Sequence, residues 1–347
     1  MKLGLLLGYS GGTMDLAIDT AKEVEAMGFD SAWTAEAYGS DAVTPAAWVL
    51  ANTTKLKVGT AIMQIPARTP AMTAMTAMTL NALSDNRFIL GLGPSGPQVA
   101  EGWHGVPYGK PMTKIKEYIE IIRLILERKD RLNYQGEEYQ VPNTGDGTTG
   151  LGKPLKSILH GDPSMPIYTA AITPGGLRTS AEVADGVFPI WMNPSRYDVL
   201  EKNLNEGFAK AGNSKSLDNF DVAPFVTVAM GDDIDKCRDM VRPGMALYIG
   251  GMGARSKNFY NDYVKRLGYE DAAIKIQDLF LDGKKEEAAA AIPAELIDSV
   301  ALIGSKDKIV GDLEAWKEAG KKKHVGSMLL GCRQPEALKA IAEAMLS

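Results

Sequence analysis

Cysteine and histidine are scarce in this chain of 347 residues. Cys237 and Cys332 lie far apart and lack the CxxC spacing of zinc or redox sites, so we predict two reduced, buried thiols. The histidines stand at positions 104, 160 and 324, and none is placed to serve as the base of a serine–histidine–aspartate triad. Because His, Cys and carboxylate side chains do not cluster at ligand spacing, no metal site is expected.

Long apolar runs and an excess of positive charge are also absent. No segment approaches the roughly eighteen apolar residues of a membrane helix, and glycine interrupts the first apolar run too early for a signal peptide. The formal net charge of −5 argues against nucleic acid or an anionic membrane as a partner. With 45% hydrophobic residues a large core can form, and we expect a cytoplasmic protein that acts on a small molecule.

Short apolar runs alternate with segments of helical period along most of the chain. The predicted strands cover residues 3–8, 31–35, 56–62, 87–93, 166–171, 186–191, 220–230 and 324–331. This alternation favours an α/β fold, a (β/α)8 TIM barrel. A doubly wound sheet is the alternative, but no GxGxxG follows the first strand. We predict a single domain over residues 1–347, with a helical insertion at residues 232–299 between strands seven and eight.

In such a barrel the active site lies at the carboxyl ends of the strands. The residues found there include Tyr9, Glu36, Tyr38, Gln64, Arg68, Ser95, Thr173 and Trp191. This rim is polar and aromatic but poor in acid–base pairs, which suits a reaction whose chemistry belongs to a cofactor. Gln64 is the most unusual member, because a buried amide without a partner costs about 1–3 kcal/mol.

The segment ITPGGLRTS, residues 172–180, contains a helix N-terminus. Thr173 is a candidate cap, Pro174 opens the helix, and Gly175 and Gly176 expose backbone N–H groups. Such an end can bind a phosphate, although similar caps occur in many helices that bind nothing. GLGPSGP, residues 91–97, is either a second phosphate loop or an ordinary glycine turn.

Several segments together resemble a known family. They are AEAYGSD (35–41), GTAIMQIPARTP (59–70), RFILGLGPSGPQVAEGW (87–103), GTTGLGKPLK (147–156), AEVADGVFPIW (181–191) and LYIGGMGA (247–254). In this order they resemble the luciferase-like, or bacterial-luciferase superfamily, flavin- and deazaflavin-dependent oxidoreductases, and most of all the actinobacterial coenzyme F420-dependent branch. The resemblance covers essentially the whole chain.

The resemblance implies a hydride transfer between C5 of the deazaflavin and a small organic substrate, with an activated double bond or a carbonyl as the reacting group. It implies a homodimer and a non-prolyl cis peptide bond between Ala61 and Ile62. Gln64 would then meet the cofactor. The cofactor-binding residues would be Tyr9, Thr60, Ala61, Ile62, Gln64, Ser95, Gly96, Ala171, Ile172, Thr173, Gly175 and Gly176.

Departures from the family pattern affect the expected chemistry. Members with a sugar-phosphate substrate carry Asp-His where this chain has Glu36-Ala37, and a glutamate where it has Gly96. An alcohol dehydrogenase mechanism, which needs a base, is therefore disfavoured. The candidate catalytic residues are Glu36, Tyr38 and His104, as proton donors. Their alternative roles are packing at the rim for Tyr38 and a solvated loop position for His104.

Two other functions remain open from the sequence. One is an FMN-dependent monooxygenase of the same superfamily, and the other is a cofactor-binding protein without turnover. A basic group after strand seven, formed by Arg255, Lys257, Lys265 and Arg266, is either a site for the cofactor's polyglutamate tail or a solvated helix face.

Overall fold

The computed structural model of this protein describes residues 1–212 and 215–346. Its strands are β1 (Lys2–Gly8), β2 (Ser31–Thr34), β3 (Lys57–Thr60), β4 (Met63–Gln64), β5 (Phe88–Gly93), β6 (Tyr134–Gln135), β7 (Gln140–Val141), β8 (Ile167–Ala170), β9 (Gly186–Phe188), β10 (Asp221–Val222), β11 (Phe225–Met230), β12 (Ala301–Gly304) and β13 (Ser327–Gly331). All of them except the small antiparallel pair β6–β7 belong to one sheet, in the order β10-β9-β8-β5-β3-β2-β1-β13-β11-β12, with β4 beside β5.

Every pairing in this main sheet is parallel, and the sheet curls. Only residues 223 and 224 separate β10, at one end of the order, from β11, which lies near the other end. A further parallel bridge joins Ile190 to Phe225. The carboxyl ends of the strands therefore point toward a common edge.

Helices follow most of the strands. They are α1 (Ile18–Ala26), α2 (Val43–Asn52), α3 (Pro70–Leu83), α4 (Pro97–Gly102), α5 (Pro111–Glu127), α6 (Pro174–Val183), α7 (Asp198–Ala211), α8 (Ile234–Ala246), α9 (Phe259–Arg266), α10 (Glu270–Leu281), α11 (Lys285–Ala290), α12 (Ala294–Val300), α13 (Lys306–Lys321) and α14 (Pro335–Leu346). Within the described ranges, none of these helices is both long and apolar enough to cross a membrane.

Aromatic rings fill the inside of the curl. Trp33 is 2% exposed and packs edge-on against Phe188, with ring centroids 5.1 Å apart. Phe188 in turn lies against Tyr168 and Phe225. This packing makes the space inside the curl a core, as in a barrel, and confines ligand binding to the edge.

Several sequence predictions about the elements were incomplete. The predicted third strand over residues 56–62 ends at Thr60, and β4 resumes at Met63. Strand seven is divided into β10 and β11 around Pro224, which has no N–H to donate to a strand ladder. The strand β12 was missed, as was the pair β6–β7 within a stretch that shows neither period. Cys237 and Cys332 are buried free thiols, as predicted.

Candidate active site

Glu36, just after β2, occupies the centre of a hydrogen-bond network at the carboxyl edge. Its Oε1 accepts from the Gln64 backbone N–H at 2.7 Å and from Arg68 at 2.5 Å. Its Oε2 accepts from the Ala42 N–H at 2.9 Å and from the second Arg68 nitrogen at 3.0 Å. Both side chains are largely shielded, with 7% of Glu36 and 19% of Arg68 exposed. The carboxylate is thus engaged by four donors and fixes the ends of β2 and β4 relative to each other.

The ion pair also keeps the Arg68 guanidinium charged. Burial alone would lower the pKa of its guanidinium, but the hydrogen bonds to Glu36 and the charges of Glu36 and Asp41 outweigh it, so that the pKa is raised. Tyr118 donates its hydroxyl to the Arg68 carbonyl at 3.0 Å. Arg68 therefore remains charged and held at both backbone and side chain.

Gln64, the polar residue of β4, finds its partners within the protein. Its Nε2 donates to the Glu36 carbonyl at 3.2 Å, and its Oε1 lies 2.9 Å from His104 Nε2. This buried amide is therefore satisfied within the protein, and its contact with the cofactor stays a prediction. His104 is half-buried and belongs to this network, so the alternative of a solvated loop histidine is wrong.

The peptide bond between Ala61 and Ile62 is cis, at the position that the family resemblance predicts. It lies in the break between β3 and β4. Neighbouring groups are packed closely around the break: Thr60 Oγ1 donates to the Gly91 carbonyl at 2.7 Å, and a Cβ on Gly93 would lie 2.4 Å from Ile62 Cδ1. Thr60 is fully buried, and its hydroxyl links β3 to β5. The Ile62 side chain, in contrast, remains partly accessible at the edge.

The predicted phosphate residues gather at the N-terminus of α6. Thr173 caps the helix by accepting from the Gly176 N–H at 3.0 Å, which confirms the predicted cap. A Cβ on Gly176 would come within 3.0 Å of Thr173 Oγ1 and Ala171 Cβ, so this position requires glycine. Gly175 faces more space, since the nearest atom to a Cβ there would be Met112 Cγ at 3.8 Å. An anion can therefore approach the first turn at Gly175.

Arg266, from the end of α9, adds a positive charge to this helix terminus. Its Nη2 donates to the Ile172 carbonyl at 2.6 Å, while Asp262 pairs with Lys265 at 3.7 Å instead. Burial lowers the pKa of Arg266, although Tyr263 and Asp262 act in the opposite direction. Arg255, in contrast, is neutralised by Asp278 and by Asp282 at 3.0 Å. The basic group predicted from the sequence is thus divided, and Arg266 is a member that contacts the segment before α6.

Tyrosines supply the rest of the edge. Tyr9 and Tyr38 are 44% and 62% exposed. Burial and the neighbouring Tyr38 raise the pKa of Tyr9, and burial, Tyr9 and Tyr38 raise that of Tyr248. Tyr9 and Tyr248 are therefore protonated at neutral pH and able to donate hydrogen bonds. The ring centroids of Tyr248 and Tyr260 are 4.8 Å apart, and the two rings meet edge to face.

Two residues that follow strands have left-handed backbone conformations although they are not glycine. They are Ser95, with φ of 60°, and Trp191, with φ of 50°. Such conformations are uncommon for residues with a Cβ and concentrate at functional sites. The Ser95 carbonyl accepts a hydrogen bond from the Tyr108 hydroxyl at 3.3 Å. The Trp191 ring packs against the Tyr260 ring, with their centroids 5.9 Å apart. Gly96, next to Ser95, precedes α4 and accepts from the first N–H groups of that helix.

A cleft of about 500 Å³ adjoins the network through Arg68. Its walls combine Ile65, Pro94 and Val106 with Tyr108 and Tyr139. Burial and the charges of Glu138 and Glu117 raise the pKa of Tyr139 to about 12. The cleft is therefore largely apolar, with protonated phenols beside the charged side chains of Arg68, Lys114 and Glu138.

The structure brings the predicted residues into two groups. One contains Glu36, Gln64 and His104, and the other contains Ala171 to Gly176. Sequence reasoning missed Tyr108, Tyr248 and Tyr260, because these residues lie in a loop and in helical segments and do not directly follow a predicted strand. Only the aromatic residues of LYIGGMGA and its surroundings offered a signal.

Comparison with known proteins places this architecture in a family. The family model described as luciferase-like monooxygenase matches residues 3–323. A protein of Mycobacterium tuberculosis named "Putative coenzyme F420-dependent oxidoreductase Rv3520c" is 41% identical over 322 residues, covering 92% of this chain and 93% of that protein.

Solved structures share the fold. The coenzyme F420-dependent tetrahydromethanopterin reductase from Methanopyrus kandleri superposes with a TM-score of 0.77 at 24% identity, covering 99% of this chain and 98% of that one. A second structure is the oxygenating constituent of 3,6-diketocamphane monooxygenase from Pseudomonas putida, in complex with FMN. It superposes with a TM-score of 0.66 at 17% identity, covering 99% of this chain and 97% of that one. On the family match and the close relative, this chain is an enzyme that belongs to the luciferase-like monooxygenase family.

Proposed function

We propose that this enzyme is a coenzyme F420-dependent oxidoreductase that transfers a hydride between the deazaflavin and a small organic substrate. The observation that carries the proposal is the 41% identity, over nearly the full length of both chains, to the Mycobacterium tuberculosis relative whose name includes that activity. The substrate class that we propose is an activated double bond or a carbonyl.

The residues at the carboxyl edge fit this cofactor. The first turn of α6 offers the Gly175 N–H in open space, a Thr173 cap and the charge of Arg266, a donor set suited to a phosphate. Ala61, Ile62 and Ser95 surround the strand break where the ring would lie, and Tyr9 offers a hydroxyl. When bound, the deazaflavin supplies the hydride at C5; the protein's part is to bind, orient and exclude water.

The proton donors that we propose are His104 and Tyr38. Glu36 is a poorer donor than the sequence suggested, because its two oxygens already accept four hydrogen bonds and face a charged guanidinium. We assign Glu36 a positioning role, in which it holds Gln64 and Arg68. Tyr38 is exposed beside Tyr9 and is free to contact a substrate.

The second candidate is an FMN-dependent monooxygenase, favoured by the structural likeness to an FMN-containing monooxygenase. The two functions differ in their use of oxygen, since a deazaflavin has carbon at position five and forms no oxygen adduct. Reduced F420 and reduced FMN are supplied separately to the enzyme, with a panel of enones and ketones. Acceptor-dependent reoxidation of F420 without oxygen uptake supports the proposal, whereas FMN-dependent oxygen uptake overturns it.

We further propose an eight-stranded barrel that forms a single domain, with residues 232–299 as an insertion, and a cytoplasmic homodimer. The exposed apolar side chains of Trp48, Met72 and Met75, between 52% and 60% accessible on α2 and α3, support the dimer. Light scattering at micromolar concentration tests it. A dimeric mass that becomes monomeric in Trp48→Glu is expected, and a monomeric wild-type enzyme refutes it.

A further inference from the structure

We infer that Gln64 positions the His104 ring with a proton on Nε2, which leaves Nδ1 as the nitrogen that exchanges a proton with the substrate. This inference deepens the proposed function, because it names the atom that carries the proton. It depends on the proposed function only because that function identifies the reaction. The ring assignment itself rests on the contacts of Gln64.

The orientation of the Gln64 amide follows from its partner. The Glu36 carbonyl, 3.2 Å away, can only accept a hydrogen bond, so the group that faces it must be the NH2 of Gln64. The amide oxygen then faces His104 Nε2 at 2.9 Å and can itself only accept. Nε2 must therefore carry a proton in both the neutral and the charged ring.

Gln64 is itself held rigidly. It is 3% exposed, and its backbone N–H donates to the Glu36 carboxylate at 2.7 Å. Arg68 binds that same carboxylate with both terminal nitrogens. A half-turn of the amide would place its oxygen against the Glu36 carbonyl oxygen, so that two acceptors would face each other and this hydrogen bond would be lost.

The other ring nitrogen is available for chemistry. Among the described residues, His104 Nδ1 has no hydrogen-bond partner. In the reducing direction the imidazolium gives its Nδ1 proton to the substrate atom that becomes negative as the hydride reaches the neighbouring carbon. One N–H bond breaks, one bond to hydrogen forms, and the ring returns to its neutral Nε2–H form. The two electrons come with the hydride from reduced F420, which is oxidised as the substrate is reduced.

Nitrogen NMR of the cofactor-free enzyme tests the assignment. Only three histidines contribute ring signals in protein labelled with 15N-histidine, and His104→Asn identifies the one of interest. We expect a protonated Nε2 and an unprotonated Nδ1 for the neutral ring of His104. In Gln64→Met the Nε2 proton should exchange with water about tenfold faster, since its acceptor is lost.

Two further variants keep the experiment decisive. Gln64→Glu retains an acceptor oxygen and should retain the slowly exchanging Nε2 proton. Gln98→Met makes the same change at an exposed position of α4 and should leave the His104 signals unaltered. A proton on Nδ1 of the neutral ring, or an unchanged exchange rate in Gln64→Met, overturns the inference. Failure of the wild-type enzyme to bind F420 refutes the proposed function instead, and the NMR result still decides the ring assignment.

Discussion

A carboxylate lies among hydrogen-bond donors at each end of the curled sheet, and the two differ in what they connect. Glu36, at the carboxyl edge, links Arg68 to Gln64 and through it to His104. Asp221, at the amino edge, accepts from Tyr168 at 2.9 Å and from Ser327 at 2.6 Å. Its other oxygen is buried and has no hydrogen-bond partner within residues 1–212 and 215–346.

The hydrogen bonds of Asp221 connect it to two hydroxyl groups, those of Tyr168 and Ser327. A Cβ on Gly326 would be only 2.4 Å from its second oxygen, and Asp221 lines a small cleft of about 100 Å³ together with Lys2 and Trp33. Burial and the charge of Asp221 raise the pKa of Tyr168, which keeps that phenol protonated. The Glu36 network, in contrast, includes the half-buried His104, whose Nδ1 has no hydrogen-bond partner in the part of the chain that the structure describes. The comparison shows that the partners of a shielded carboxylate, more than its burial, distinguish the two edges.

The largest expected effect is that of Glu36→Gln. The variant leaves Arg68 buried without its counter-charge, and we expect a loss of about 3 kcal/mol in the free energy of unfolding. F420-dependent turnover should fall as well, because Gln64 and His104 lose their support. Chemical denaturation and activity assays measure both quantities. Unchanged stability would show that the ion pair does not hold this edge together.

Asp221→Asn provides the matched change at the amino edge. The amide keeps an oxygen for Tyr168 and Ser327, and its new N–H2 group lacks an acceptor, so we expect a loss of about 1–2 kcal/mol in stability. F420 affinity should stay within twofold of the wild-type value, measured by fluorescence titration. A fall of more than twofold in F420 affinity would show that the functional contrast between the two edges is wrong.

Arg266→Met tests the anion site at α6. Loss of a charge-assisted hydrogen bond should weaken F420 binding at least tenfold, since such bonds contribute about 1.5–3 kcal/mol. Arg255→Met is the control, because that guanidinium is already paired with Asp278 and Asp282. Equal losses in both variants would show that general positive charge, and not the Arg266 contact, governs the affinity.

The smallest expected effect is on the pH dependence of stability and comes from His324, which precedes β13. Its ring stacks on that of Tyr197, with the centroids 3.9 Å apart. Burial lowers its pKa from 6.5, with Glu201 opposing and Lys322 adding to the shift. The unfolded chain thus takes up this proton at higher pH than the folded one, and the stabilisation present above pH 6.5 is lost as the pH falls below it. The free energy of unfolding should decline less over this range in His324→Gln than in the wild-type enzyme. Identical pH dependence would exclude a contribution from His324.

Local signals predicted much of the fold. The start of α6 at Pro174 was predicted correctly because proline is favoured in the first turn of a helix. The four-residue strand β12 was missed because its apolar run directly continues a helical pattern.

The partners of the site residues could not be predicted in this way. The bond from Gln64 to His104 spans 40 positions, and the one from Arg266 to Ile172 spans 94. Residues at strand ends can be identified by pattern, because the ends of parallel strands share an edge. Contacts from loops and distant helices depend on tertiary packing, which a single sequence does not specify.

The most direct test of the central claim is the binding of purified, cofactor-free enzyme to F420 and, separately, to FMN, followed by fluorescence. We predict micromolar binding of F420 and much weaker binding of FMN. Preference for FMN would contradict the assignment and direct attention to oxygen chemistry. Binding of neither cofactor would contradict the assignment of the α6 terminus as a phosphate site as well.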